Sequence, residues 1–328
     1  MTTSTLTERF ALLHPTEQAL IAILALMGPI SSRSRMMDYL AKADLKSPKG
    51  KGYNGKSMDA LLAELVQQGL VEHPKAEDFR CASGLIETAI NQAVSSGALD
   101  ALCTGIEIVE KCSEYAGHIS LGSYLQGIRL LRLALIRGRD RSTTQRYLIA
   151  CANFPDFRKQ HPYIEICGTS FHPRFMALLH PEMQEVVTAA LLQDAMLDLH
   201  KSHPVVAYAE SVFKSKTPGA HAAFFIAIYA EHALLSGQFE QAEAILANRS
   251  EGQCLALHAA IALLRGNLEP AIDGFEVALK AFRATSAKRT SVFGGLMGFL
   301  HVLALMRSPH EKHKKKALRL CQQINPSS

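Results

Sequence analysis

No two of the seven cysteines (Cys81, Cys103, Cys112, Cys151, Cys167, Cys254, Cys321) stand in a C-x-x-C pair, and their number is odd. That leaves neither the spacing of a structural zinc site nor a disulfide frame, so a reducing cytoplasm is the expected setting. Long apolar runs are missing as well. The longest without a charge, Ala19 to Ile30, is too short to cross a bilayer, and MTTSTLTERF lacks the basic-then-apolar pattern of a leader. Neither H-E-x-x-H nor G-x-S-x-G occurs, and no hydrophobic strand closes on an acid suited to hold magnesium beside a nucleotide. The expectation is a soluble chain that needs no metal or cofactor, is not an enzyme and does not touch a membrane.

What is present is charge in separate places. The 328 residues are 48% hydrophobic and 20% charged, with a net charge of +5. Between Arg33 and Lys56, seven basic residues (Arg33, Arg35, Lys42, Lys46, Lys49, Lys51, Lys56) face only Asp38 and Asp44. A second cluster, Arg129, Arg132, Arg137, Arg139, Arg141 and Arg146, faces Asp140 alone. The rest is therefore net negative, and the positive field is concentrated rather than spread. A shorter basic run, EKHKKKALR, lies further on.

The stretch Gly50 to Leu70 admits two functions. As a string it satisfies G-x-x-x-x-G-K-[ST] through Gly50, Gly55, Lys56 and Ser57. A phosphate loop needs a buried strand running into its first glycine, and YLAKADLKSPK ends instead in charge and proline. In its neighbourhood the same stretch reads as a turn and a third helix. The first helix, EQALIAILALMG, opens after His14-Pro15-Thr16 and ends at Gly28-Pro29. The second, within SSRSRMMDYLAKADL, has serine caps and places Met36, Met37 and Leu40 on one side. The third, Ser57 to Gln68, has Met58, Leu61, Leu62 and Leu65 at helical spacing and stops at Gly69. LVEHP and FRCAS flank the turn residues KAED as a hairpin. The expected fold is mainly α: a flexible N-terminus over 1–13, a winged helix-turn-helix over 14–83, and an irregular α-solenoid over 84–328.

A winged helix that meets DNA sets its third helix in the major groove. Arg33, Arg35, Lys49, Lys51 and Lys56 would then take phosphates, with Asn54 at the start of the helix. The exposed face of that helix, Asp59, Glu64, Gln67 and Gln68, reads bases poorly because two acids oppose a polyanion. Backbone contact with DNA and use of the domain for packing both stay open.

From Gly84 onward no strand is expected. HISLGSYLQGIRLLRLALIRG reads as one long helix, Pro155, Pro162 and Pro173 interrupt the segment after it, and Pro181 starts another long helix. Arg129 and Arg132 share a helix face while Arg137, Arg139 and Arg141 crowd the turn after it, either as a ridge for nucleic acid or an acidic segment, or as a solvated face. His310 and His313 are three apart and could share a metal, but lie beside lysines. His221, His232, His258 and His301 fall inside apolar helices and are expected to be hydrogen-bonded packing residues.

In Leu255 to Phe282, Ala259, Gly266, Ala271, Phe275 and Ala278 are placed as two antiparallel helices require, small where backbones meet and glycine in the turn. A copy lies 29 residues earlier, with Ala230, Gly237, Ala242 and Leu246, and Phe239 matching Leu268 after the glycine. These residues resemble tetratricopeptide repeats over about 220–282, although the interval is shorter than that family's usual period and the first-helix aromatic is absent. The resemblance implies a superhelical surface for a protein or peptide partner. The whole order, with HPTEQALIAILALMG opening it and GLVEHP closing the third helix, also resembles the N-terminal region that precedes the motor in some large bacterial Snf-type DEAD/DEAH-box helicases. That likeness implies an accessory DNA- and protein-binding module with a helicase motor in the same polypeptide. A pure protein-interaction scaffold, and more remotely a nucleotide-binding protein, are the alternatives.

Overall fold

The computed structural model describes residues 3–30, 32–75, 78–168, 171–197, 203–216, 220–286 and 290–324. It is mainly helical, 71% helix. The strands among the described residues form two small antiparallel hairpins. The chain divides into two units, residues 1–184 and 185–328.

In the first unit, residues expected to be flexible form α1 (Thr3–Ala11). Leu6 and Phe10 are four apart, so they share a helical face, and both are buried in the core. Arg9 then donates to the Gln68 carbonyl at 2.8 Å.

Helix α2 (Pro15–Met27) starts where His14 Nδ1 accepts the Thr16 N–H and the Glu17 carboxylate accepts the His14 N–H, with Pro15 in the first turn. It is buried almost all round, and Gly28, at φ +71°, ends it in a conformation that side chains rarely adopt. Ser32 caps α3 (Arg33–Lys42), and Asn54 caps α4 (Gly55–Gln67). Met36, Tyr39 and Leu40 of α3 join Met58, Leu62 and Leu65 of α4 beneath α2 in one core. Strands β1 (Val71–Lys75) and β2 (Asp78–Cys81) come next, with Val71 opposite Cys81 and Glu72 opposite Arg80. Ile30 adds an extended bridge to Phe79 through two backbone hydrogen bonds of 2.9 and 3.0 Å, which fixes the hairpin against the end of α2.

Helices α5 (Ile86–Ser95) and α6 (Leu99–Val109) close this core. A Cβ at Gly105 would lie 2.8 Å from the Ala43 nitrogen, so α6 meets the end of α3 backbone to backbone. The expectation of no strand after Gly84 is corrected by β3 (Ser113–Tyr115) and β4 (His118–Ser120). Ala116 and Gly117, at φ +49° and +79°, turn that hairpin as a two-residue loop. The single long helix expected from His118 therefore begins later, as α7 (Tyr124–Ile136), capped by Ser123.

Helix α8 (Arg141–Cys151) is capped by Asp140. The prolines after α8 start helices rather than merely interrupting them. Pro155 opens a 3-10 turn, and Pro162, Pro173 and Pro181 open α9 (Pro162–Cys167), α10 (Pro173–Leu178) and α11 (Pro181–Leu197). His161 and His180 repeat the device of His14, Nδ1 accepting an N–H two residues on.

In the second unit, α12 (Pro204–Lys214), again behind a His–Pro pair, leads to α13 (Ala223–Leu235) and α14 (Phe239–Leu246). Then come α15 (Gly252–Leu264), α16 (Leu268–Thr285), α17 (Gly295–Arg307) and α18 (Glu311–Ile324). Gly237 and Gly266, at φ +74° and +86°, make the tight turns of α13–α14 and α15–α16. A Cβ at Gly252, in the first turn of α15, would lie 2.5 Å from the Phe282 nitrogen near the end of α16, and Gly274 meets Ala259 in between. The two helices therefore run antiparallel in close contact. Ala259, Ala271, Phe275 and Ala278 are all buried at that seam.

Candidate nucleic-acid interface

The turn between α3 and α4 is built from its own hydrogen bonds. The Ser47 N–H and hydroxyl both donate to the Lys51 carbonyl, at 2.8 and 2.7 Å, and Gly50 N–H donates to the Ser47 carbonyl at 2.8 Å. Thr16 on α2 donates to the Lys46 carbonyl at 2.7 Å and so anchors the turn. From this frame Lys49 and Lys51 project into solvent, and Lys56 is exposed in the first turn of α4. None of the three has an ion pair or side-chain hydrogen bond among the described residues. No acid lies in the first turn of α4, where the helix dipole disfavours a cation, so Lys56 stands without local compensation.

The other residues expected here are occupied. Arg33 pairs with Asp59 of α4 at 2.7 Å, and Arg35 reaches the buried Glu110 carboxylate at 3.4 Å. Asn54 was expected to face nucleic acid, but its side chain accepts the Ser57 N–H at 2.9 Å while Ser57 Oγ accepts the Asn54 N–H. That capping box takes up Asn54, and the hydroxyl of Ser57 as well. Residues 43–54 contain no strand, so the glycines of the phosphate-loop string form a turn and a helix start. On the outer face of α4, Asp59 and Glu64 are exposed.

The second arginine cluster is not the continuous ridge its spacing suggested. Arg129 is 4% exposed; it meets Glu110 Oε1 at 3.3 Å and donates to the Pro29 carbonyl at 2.7 Å. The Tyr39 hydroxyl donates to the same carboxylate. Burial, then the hydrogen bond to Glu110 and its charge, push the Tyr39 phenol far above its ordinary value, so it stays a donor. Arg132 lines a partly open pocket, Arg137 pairs with Glu107 at 2.8 Å and Asp100 at 3.5 Å, and Arg146 pairs with Glu114. Arg139 and Arg141 are exposed at the turn. Arg129 and Arg132 sit in an otherwise apolar helix whose neighbours bury it on most sides, which draws both away from a common outer ridge. Glu110 was not singled out from sequence, and the signal for it was an acid directly following the apolar face of α6.

The second unit holds two similar nodes. Glu185 accepts from Lys216 at 2.6 Å and from the Ala222 N–H at 2.9 Å, and lies 3.0 Å from His221 Nδ1. Burial works against its charged form, but Lys216, the Ala222 amide and His221 hold its carboxyl below the usual range. Glu276 lies 3.6 Å from His301 and pairs with Lys316; the His301 ring, then the Lys316 ammonium, bring its carboxyl down to about 2. His221 and His301 are both buried, stacked on Phe213 and Phe275.

Burial pushes the thiols of Cys81, Cys103 and Cys167 up to about 12, and those of Cys151 and Cys254 up to about 11, so at neutral pH they are not thiolates. His313 Nδ1 lies 2.8 Å from Ser308 Oγ. Among the described residues no group of three or more His, Cys, Asp or Glu is placed to hold a metal, and no helix is long and apolar enough to cross a membrane. No protein-family model, curated protein or solved structure matches the chain.

Proposed function

We propose that this chain is a non-catalytic nucleic-acid- and protein-binding regulatory module. In this reading the N-terminal part is a winged helix-turn-helix, with α2 to α4 as the helices and β1–β2 as the wing. The later helical hairpins are tetratricopeptide-like and present a surface to a protein partner. The observation that carries the nucleic-acid part is the set of three uncompensated lysines, Lys49, Lys51 and Lys56, on a self-bonded turn at the start of the third helix. Lysines without acidic partners release counterions when they meet phosphates, whereas Asp59 and Glu64 on the same helix repel a polyanion. The contact is therefore with the backbone of a duplex, without base reading. Residence beside a helicase motor in a longer bacterial protein is the setting that fits such a module.

Titrating a fluorescent duplex at a series of salt concentrations tests this. Binding should weaken steeply with salt, and replacing Lys49, Lys51 and Lys56 together with alanine should reduce the log–log slope by about 3. Binding of equal strength by the triple variant, or none by the wild type at low salt, removes the nucleic-acid part. The competing reading, a protein scaffold without DNA contact, draws on the acids of α4 and gains from that outcome.

A further inference from the structure

The first unit carries a partly open pocket of about 560 Å³, within the usual range for small-molecule sites. Its walls come from the end of α2, the β1–β2 hairpin, α5, α7, α9 and α10. Much of the lining is apolar: Leu24, Ile86, Ile90, Ile166 and Phe175. The charged groups are unequal. Glu72 is paired with Arg80 at 2.8 Å, and Glu165 accepts from Tyr124 at 3.1 Å. Arg132 has no carboxylate within ion-pair distance among the described residues; its one hydrogen bond is a long one, 3.5 Å, to the Leu26 carbonyl at the end of α2. Helix-end carbonyls only partly offset a full charge. Loss of water at this position pulls the guanidinium below its ordinary pKa, the signature of an under-compensated cation. His172 lies in the same wall, and its Nε2 is buried with no hydrogen-bond partner. Its other nitrogen faces Glu87 at 3.7 Å, a carboxylate shared with Arg174.

A half-buried guanidinium that has lost much of its water presents a fork of donors that matches the two oxygens of a carboxylate, and here it stands beside an apolar chamber. We propose that this cavity binds a small organic carboxylate, its head group on Arg132 and its apolar body against Ile86, Ile90, Ile166 and Phe175. The site does not depend on the reading of the basic turn: no lysine of that turn lines it.

Decanoate is the probe, with decanol as its uncharged counterpart, both titrated by calorimetry into the full chain. Decanoate should bind at one saturable site, and decanol at least tenfold more weakly. Arg132→Met should weaken decanoate at least tenfold. It should also leave the ligand-free melting temperature equal or higher, because a partly desolvated cation short of partners has been removed. Ile90→Trp, which fills the chamber and leaves Arg132 in place, should weaken decanoate to a similar degree, and it keeps the test decisive if Arg132→Met fails to fold. The proposal is overturned by absence of one-site decanoate binding, by equal affinity for decanol, or by Arg132→Met or Ile90→Trp binding within twofold of wild type.

Discussion

The two units bury charge to different depths while packing helices through the same close contacts of small residues. In the first, one carboxylate, Glu110, gathers Tyr39 and Arg129 from α3 and α7 at nearly zero exposure, with Arg35 reaching in from the surface. That carboxylate ties together elements distant in the chain. In the second, Glu185 is buried but takes its cation, Lys216, from a half-exposed position, Glu276 is itself 38% exposed, and helices meet through small residues, Gly252 against Phe282 and Gly274 against Ala259, as Gly105 meets Ala43 in the first. Arginines in this chain are not uniformly surface groups. In the apolar helix α7 Arg129 is structural, and the lysines left for a polyanion are Lys49, Lys51 and Lys56 around a turn whose acid, Asp44, lies 4.0 Å from Lys46.

The difference can be broken first at Glu110. Glu110→Ala leaves Arg129 buried without its counter-charge and should cost about 3–5 kcal/mol in denaturant unfolding of the first unit. A loss under about 1 kcal/mol shows that water reaches the node. The matching change in the second unit is Gly252→Ala, where the added Cβ meets backbone at 2.5 Å and the helices must separate. Overpacking of this kind costs about 1–3 kcal/mol, read as a lower denaturation midpoint with an unchanged slope.

A smaller effect is expected from Glu276. Its carboxyl is held at about 2, against an ordinary 4.5, so it contributes stability above about pH 4.5 that is lost as pH falls toward 2. With 38% of its side chain exposed, solvent screening leaves on the order of 1 kcal/mol. Glu276→Gln should flatten the stability profile across that window, and a profile unchanged from wild type counts against the pairing with His301 and Lys316.

Much of the first unit was legible in the sequence, because its signals are local. His14-Pro15 starts α2, Gly28 stops it, and Met58, Leu61, Leu62 and Leu65 mark the buried face of α4. The Gly266 turn and the small residues around it likewise announced the pairing of α15 with α16. The features that escaped depend on neighbours far along the chain. Helix α1 is short and threonine-rich, with Leu6 and Phe10 as its buried apolar contacts and Arg9 bonded to the distant Gln68 carbonyl, and the β3–β4 hairpin is made of mostly exposed residues without an apolar alternation. The roles of Arg129 and Arg132 depend on Glu110, Pro29 and Leu26, which no spacing within α7 reveals. Asn54 read as a contact residue because a capping side chain and a base-reading side chain look alike until the hydrogen bond is seen.

The claim that the positive field available to a partner lies on the turn before α4 is tested most directly by cross-linking lysines to a duplex and mapping the sites by mass spectrometry. The chain offers a fair competitor in α18, where Lys312, Lys314, Lys315 and Lys316 stand in one run. Cross-links concentrated at Lys49, Lys51 and Lys56 are the predicted result. Cross-links confined to Lys312–Lys316, with the turn unlabelled, would contradict the account.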